Sequence, residues 1–116
     1  MNSQPTERPP AGLMVQRDNE VAVTSLLNRT SLHAPTIFPR PHAVHVVVNN
    51  VDDIGDWLTS LGGEIKVRPS GDGLEVWTLH TSTPRRADGS SVAVLVSAVL
   101  PEGELVFDYI RAAVTR

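Results

Sequence analysis

The stretch from Ala43 to Gly62 constrains the fold of this chain more than any other. It opens with Val44-His45-Val46-Val47-Val48, a run too apolar for an edge strand and too β-branched for a comfortable helix. A buried strand over 43–48 is predicted. Asn49, Asn50 and the Asp52-Asp53 pair follow, side chains that accept hydrogen bonds from free amides and whose charge suits the positive end of a helix dipole. Ile54, Trp57, Leu58 and Leu61 then stand at i, i+3, i+4 and i+7, one face of a helix running from Asp53 to Leu61. Gly62 and Gly63 close it, because glycine takes positive φ without a side-chain penalty.

Beyond the glycine pair, Glu64 to Arg68 alternates polar and apolar residues, with Ile65 and Val67 on one side, and predicts a half-exposed strand. Pro69-Ser70-Gly71-Asp72-Gly73 is a turn by composition. Leu74 to Thr81 predicts a third strand, with Leu74, Val76, Thr78 and His80 opposite Glu75, Trp77, Leu79 and Thr81. A polar loop over 83–90 ends in Asp88-Gly89, a hairpin signal. Ser91 to Leu100 is the most apolar of the strands and belongs at the centre of a sheet or at a subunit interface. Past Pro101, the stripe Leu105, Val106, Tyr109, Ile110 and Ala113 predicts a three-turn helix over 105–114.

The part before the strand is less patterned. Residues 1–12 hold three prolines in a polar stretch and are expected to be a disordered tail. Residues 13–42 form an N-terminal extension, with a short helix expected at Asn19–Leu27. Pro35, Pro39 and Pro41 then impose an extended, largely unpaired path over 34–42. Residues 43–116 are expected to make up one α+β domain, a β-α-β-β-β antiparallel or mixed sheet with one covering helix and a C-terminal helix.

Composition narrows the function. The chain has 116 residues, no cysteine, a net charge of −3 and a single lysine among its basic residues. Without cysteine there is no disulfide staple, thiolate metal site or cysteine nucleophile. The acidic balance argues against a partner held by phosphate contacts, so nucleic acid is not expected. The first residues lack an apolar signal core and no run of apolar residues is long enough to span a bilayer, so a cytoplasmic protein without membrane attachment is expected.

Few residues offer chemistry. His42 and His45 are three apart, which on a strand directs them to opposite faces and prevents them from sharing a ligand. His80, on the neighbouring hairpin, is the other histidine able to approach them, and no carboxylate spacing completes a metal set. Asp52, Asp53 and Asp56 are explained by their place at a helix start. Arg85-Arg86 sits in a polar loop able to touch an anion. The binding candidates are His45, His80, Trp77, Arg85 and Arg86, with no catalytic residue, no metal ligand and no cofactor assigned.

The order strand, helix, strand, strand, strand over Ala43–Leu100 resembles one module of the vicinal oxygen chelate family, the glyoxalase and extradiol dioxygenase group. His45-Val46-Val47-Val48, Asp52-Asp53-Ile54, Trp57 and Leu61-Gly62 carry the resemblance, which spans half the chain. It implies a βαβββ architecture. In that family a residue matched by His45 is often a metal ligand, and a Glu late in the fourth strand joins it. Here Val92 to Leu100 has no acid before Glu102. The family uses two modules per site, which for a single module implies pairing of two copies, and some metal-free relatives merely bind small molecules.

The expectation is a small non-catalytic domain, homodimeric, acting through a protein partner or a small ligand. The alternative is a metal-dependent enzyme of the chelate type using His45 and His80.

Overall fold

The computed structural model describes residues 11–115. Its elements are α1 (Ala11–Arg29), β1 (Thr36–Pro39), β2 (Val44–Val47), α2 (Val51–Leu61), β3 (Glu64–Gly71), β4 (Leu74–Ser82), β5 (Ala93–Pro101) and α3 (Asp108–Arg111). The five strands form one mixed sheet in the order β1-β2-β5-β4-β3, in which only β2 and β5 run parallel. The α+β class and the β-α-β-β-β run are therefore as expected.

The crossover from β2 through α2 creates this order. β2 cannot pair with β3 next to it in sequence, because α2 carries the chain across the sheet, and β5 returns to fill the place beside β2. β5 thus has neighbours on both sides, which suits the most apolar strand. Its Val94, Val96, Ala98 and Leu100 are buried on one face together with Val44 and Val46 of β2, Trp77 and Leu79 of β4, and Ile65 of β3. Burying a side chain of this size contributes roughly 1.5–3 kcal/mol before entropy is charged.

Helix α2 covers that face with Ile54 and Trp57, both fully buried. Its start is capped by Asn50, whose side chain accepts a hydrogen bond from the Asp53 amide at 3.0 Å. Trp57 Nε1 donates to the His33 carbonyl at 2.8 Å, fastening the segment after α1 to the core. Gly62 closes the helix at φ 76°, ψ −164°, and its amide donates to the Leu58 carbonyl.

Four parts differ from expectation. The turn expected over 69–73 is narrower, because residues 69–71 continue β3, with a shift of register between Pro69 and Gly71. Helix α1 is 19 residues long and reaches well beyond Asn19–Leu27 on its N-terminal side. Its inward face is Asn19, Val23 and Leu26, so the first position of the stripe is polar, and Leu13, Met14 and Val15 are exposed on the helix. Asn19 is buried because its amide donates to the Arg40 carbonyl at 2.9 Å and the Pro41 carbonyl at 3.1 Å, tying α1 to the β1–β2 turn. Ala11 and Gly12 belong to this helix, and the rest of the expected tail lies outside the described residues.

The path over 34–42 is not unpaired. Thr36–Pro39 pairs antiparallel with β2. An edge strand tolerates proline because only one side of it needs donors.

The C-terminal helix is much shorter than 105–114. Ile110 is buried, but the backbone leaves the helix to bond the edge of β3, with Ile65 N donating to Ala113 O and Thr115 N to Ile65 O, each at 2.8 Å. That edge pairing competes with further helical turns. Leu105 and Phe107 precede the helix and face solvent.

Two substitutions test this account. Gly62→Ala meets no atom within 4 Å and should cost only the backbone strain, about 1–3 kcal/mol. Gly63→Ala should cost more in urea unfolding, because at φ 116° its Cβ would also run into the His80 carbonyl oxygen of β4. Equal costs would show that the β3–β4 approach does not require glycine. Asn19→Ala should cost about 1–2 kcal/mol, since it leaves two partly buried carbonyls unpaired.

Candidate functional site: the open face of the sheet

Strand alternation buries one face of the sheet under α1 and α2 and leaves the other uncovered among the described residues. Register sets its pattern. One row runs Phe38, His45, Leu95, His80, Glu64, the next Thr36, Val47, Ser97, Thr78, Lys66, and a third Val99, Val76, Arg68. The floor is apolar and accessible, with Phe38, Val47 and Val99 at 45, 42 and 55% exposure.

Two hollows lie on this face. One of about 520 Å³ is lined by His45, Lys66, Arg68, Thr78, His80, Leu95 and Ser97. Another of about 310 Å³ is lined by Phe38, Arg40, His45 and Val47. His45 borders both.

The rim is cationic. Lys66 and Arg68 project from β3 because β3 alternates them with the inward Ile65 and Val67. Arg40 enters from the β1–β2 turn held by Asn19, its guanidinium carbon 6.0 Å from the centre of the Phe38 ring. The acid in this pattern is Glu64, which pairs with Lys66 at 3.6 Å and accepts a hydrogen bond from the Thr115 hydroxyl. The remaining described acids belong to α1, α2, α3, the loops and the covered side of β4. An acidic chain thus gathers positive charge around the apolar floor of its uncovered sheet face. At its centre the Thr78 and Ser97 hydroxyls lie 3.0 Å apart. Two hydroxyl hydrogens and one mutual bond leave a donor free for a ligand.

His42 and His45 do not part as expected. His42 sits in the bend before β2, where strand alternation does not apply, and its ring stands edge-on to that of His45 at 6.1 Å. Burial, then the neighbouring His42 and the Arg40 guanidinium, hold the His45 imidazole below its ordinary value of 6.5. His80 shares the face but is separated from His45 by Leu95, which pairs with both. Two strand spacings, roughly 10 Å, lie between their backbones.

The other candidates are elsewhere. Trp77 is buried on the covered side, donating to Glu75 Oε1 at 3.2 Å, with the Arg111 guanidinium 5.9 Å from its ring centre. Arg85 and Arg86 shape the β4–β5 loop through bonds to Gly89 and Ser90. The sequence reading passed over Phe38, Arg40 and Lys66 as site residues. The alternation of Lys66 and Arg68 with Ile65 and Val67 was the signal for one side of the rim. The position of Arg40 depends on a contact 21 residues away.

A metal of the kind the chelate resemblance implies finds no matching donor set. Among the described residues no three His, Asp or Glu side chains are grouped to hold one. Glu102 lies beyond β5 in the turn after Pro101, not on the open face.

The lowered His45 value has a definite sign. Below 6.5 the folded state binds fewer protons at this group than the unfolded state, so its contribution to stability is present above that value and lost as pH falls through the folded value. In an NMR titration His45 should have its midpoint below 6.5, and His42→Gln should move it up part of the way, since burial is the larger cause. A midpoint at or above 6.5 in the native protein would contradict this electrostatic picture.

Comparison of the chain with protein-family models, with curated proteins and with solved structures returned no match.

Proposed function

We propose that this chain is a non-catalytic binding domain whose open sheet face seats an acidic group bearing apolar surface. The observation that carries the reading is the segregation of charge. Arg40, Lys66 and Arg68 border a floor of exposed Phe38, Val47 and Val99 and half-buried Leu95, in a chain whose net charge is negative. Exposed apolar surface of this extent, rimmed by polar groups, marks a contact site, and the sign of the rim selects the partner.

A binding role is favoured over catalysis because the ionisable groups are spread along the face, with Leu95 between the two strand histidines, so that among the described residues no acid, base and nucleophile converge there. The β2-α2-β3-β4-β5 run supports the resemblance to a chelate-type module at the level of element order. The metal-free, ligand-binding branch of that resemblance fits these residues better than the metal-bound one. The same uncovered face supports a homo-oligomer. No helix among the described residues is long and apolar enough to cross a membrane, which is compatible with the cytoplasmic location we propose.

The aromatic sulfonate 8-anilinonaphthalene-1-sulfonate, an apolar anion, serves as a probe. In amide-shift mapping its effects should gather on β2, β5, β4 and β3 at His45, Leu95, Thr78 and Lys66. K66E/R68E should weaken it about tenfold, equivalent to ~1.4 kcal/mol. Shifts centred on the cleft that Val67, Glu75, Trp77 and Arg111 line on the covered side, or affinity unchanged in K66E/R68E, would remove the support for this reading.

A further inference from the structure

One surface of the molecule is unexplained by its own packing. Residues 104–107 link β5 to α3 without regular secondary structure, and the amides of Leu105, Val106 and Phe107 have no hydrogen-bond partner among the described residues. Leu105 is 94% exposed, Phe107 63% and Tyr109 49%, while Ile110 turns inward and is fully buried. The Phe107 and Tyr109 rings are stacked on each other at 6.2 Å, so the outer side chains form an ordered apolar ridge. Asp108 and, from α2, Asp52 border the shallow hollow beside Leu105, Val106 and Phe107. Glu102 and Glu104 precede them in the chain, and Arg111, which donates to the Glu104 carbonyl, lies on the other side, toward Trp77.

This ridge has the chemistry that the open face lacks. It carries apolar side chains with acids, and the face carries an apolar floor with Arg40, Lys66 and Arg68. Face against face would bring those cations together, and ridge against ridge would do the same for the acids. Each surface opposes its own copy and suits the other. The backbone edges are poorly suited to self-pairing. β1 is four residues long and ends in proline, and the β3 edge is bonded at Ile65 by the C-terminal segment.

We propose that the acidic apolar group seated on the open face is the Glu102–Tyr109 ridge of a second copy, so that the chain associates ridge to face. This inference rests on the binding role assigned to the open face above and names its occupant.

Two variants of the full chain separate the surfaces. L105K/F107K alters the ridge, K66E/R68E alters the face, and all four side chains are exposed, so circular dichroism should report an unchanged fold. In sedimentation at low salt the native chain should associate with rising concentration, and added salt should reverse this by screening the rim charges. Each variant alone should lose association. An equimolar mixture should regain it, because the intact face of the ridge variant accepts the intact ridge of the face variant. The ridge variant, its face vacated, should bind the sulfonate probe at least as tightly as the native chain.

A mixture that stays monomeric would overturn ridge-to-face contact, as would a ridge variant that associates like the native chain. A native chain that is monomeric throughout but still binds the probe through Lys66 and Arg68 would overturn this inference and leave the binding role standing. Loss of both behaviours would remove the two together.

Discussion

A parallel pair between β2 and β5 requires a crossover, and the crossover must lie on one side of the sheet. α2 is that crossover, and its Ile54 and Trp57 bury the side on which it packs. α1 joins it there through Val23 and Leu26, near β1 and β2. The covering layer is thus committed to one face, and among the described residues nothing is left to cover the other. The uncovered face is a consequence of how the core is closed.

What occupies the uncovered face follows from the two-residue period of the strands. Val94, Val96 and Ala98 point into the core, so Leu95, Ser97 and Val99 must point out, and the same holds for His45 and Val47 between buried valines. Lateral pairing then sets unrelated parts of the chain side by side. Lys66 reaches the row of Thr78 and Ser97, and Phe38 reaches the row of His45. The binding surface is assembled by register, and its charge comes from the two edge regions, β3 and the β1–β2 turn.

The acids sit where helices and turns use them. Asp52 and Asp53 are in the first turn of α2, and the Asp88 carboxyl is held below its usual range by hydrogen bonds from Ser90. These structural placements keep negative charge off the sheet face except at Glu64, which is neutralised by Lys66. Local stabilisation of turns and helix starts and a cationic binding face are thus two sides of one distribution of charge.

The sequence alone determined the elements whose signals are local. The strand at Val44, the Asn50-capped helix with its Ile54 and Trp57 stripe, the glycine pair and the alternation of β3, β4 and β5 are all written within a few residues of themselves. The two faces of β4 were legible for the same reason. Only the tertiary structure decided the elements that depend on distant contacts. Asn19 lies within α1 and faces inward because it bonds carbonyls in the β1–β2 turn, and β1 becomes a strand because β2 offers it an edge. The C-terminal helix is cut short by pairing with β3. The neighbourhood of His45 was decided in the same way, since a strand's period says which face a histidine takes but not which arginine or lysine the register brings to it.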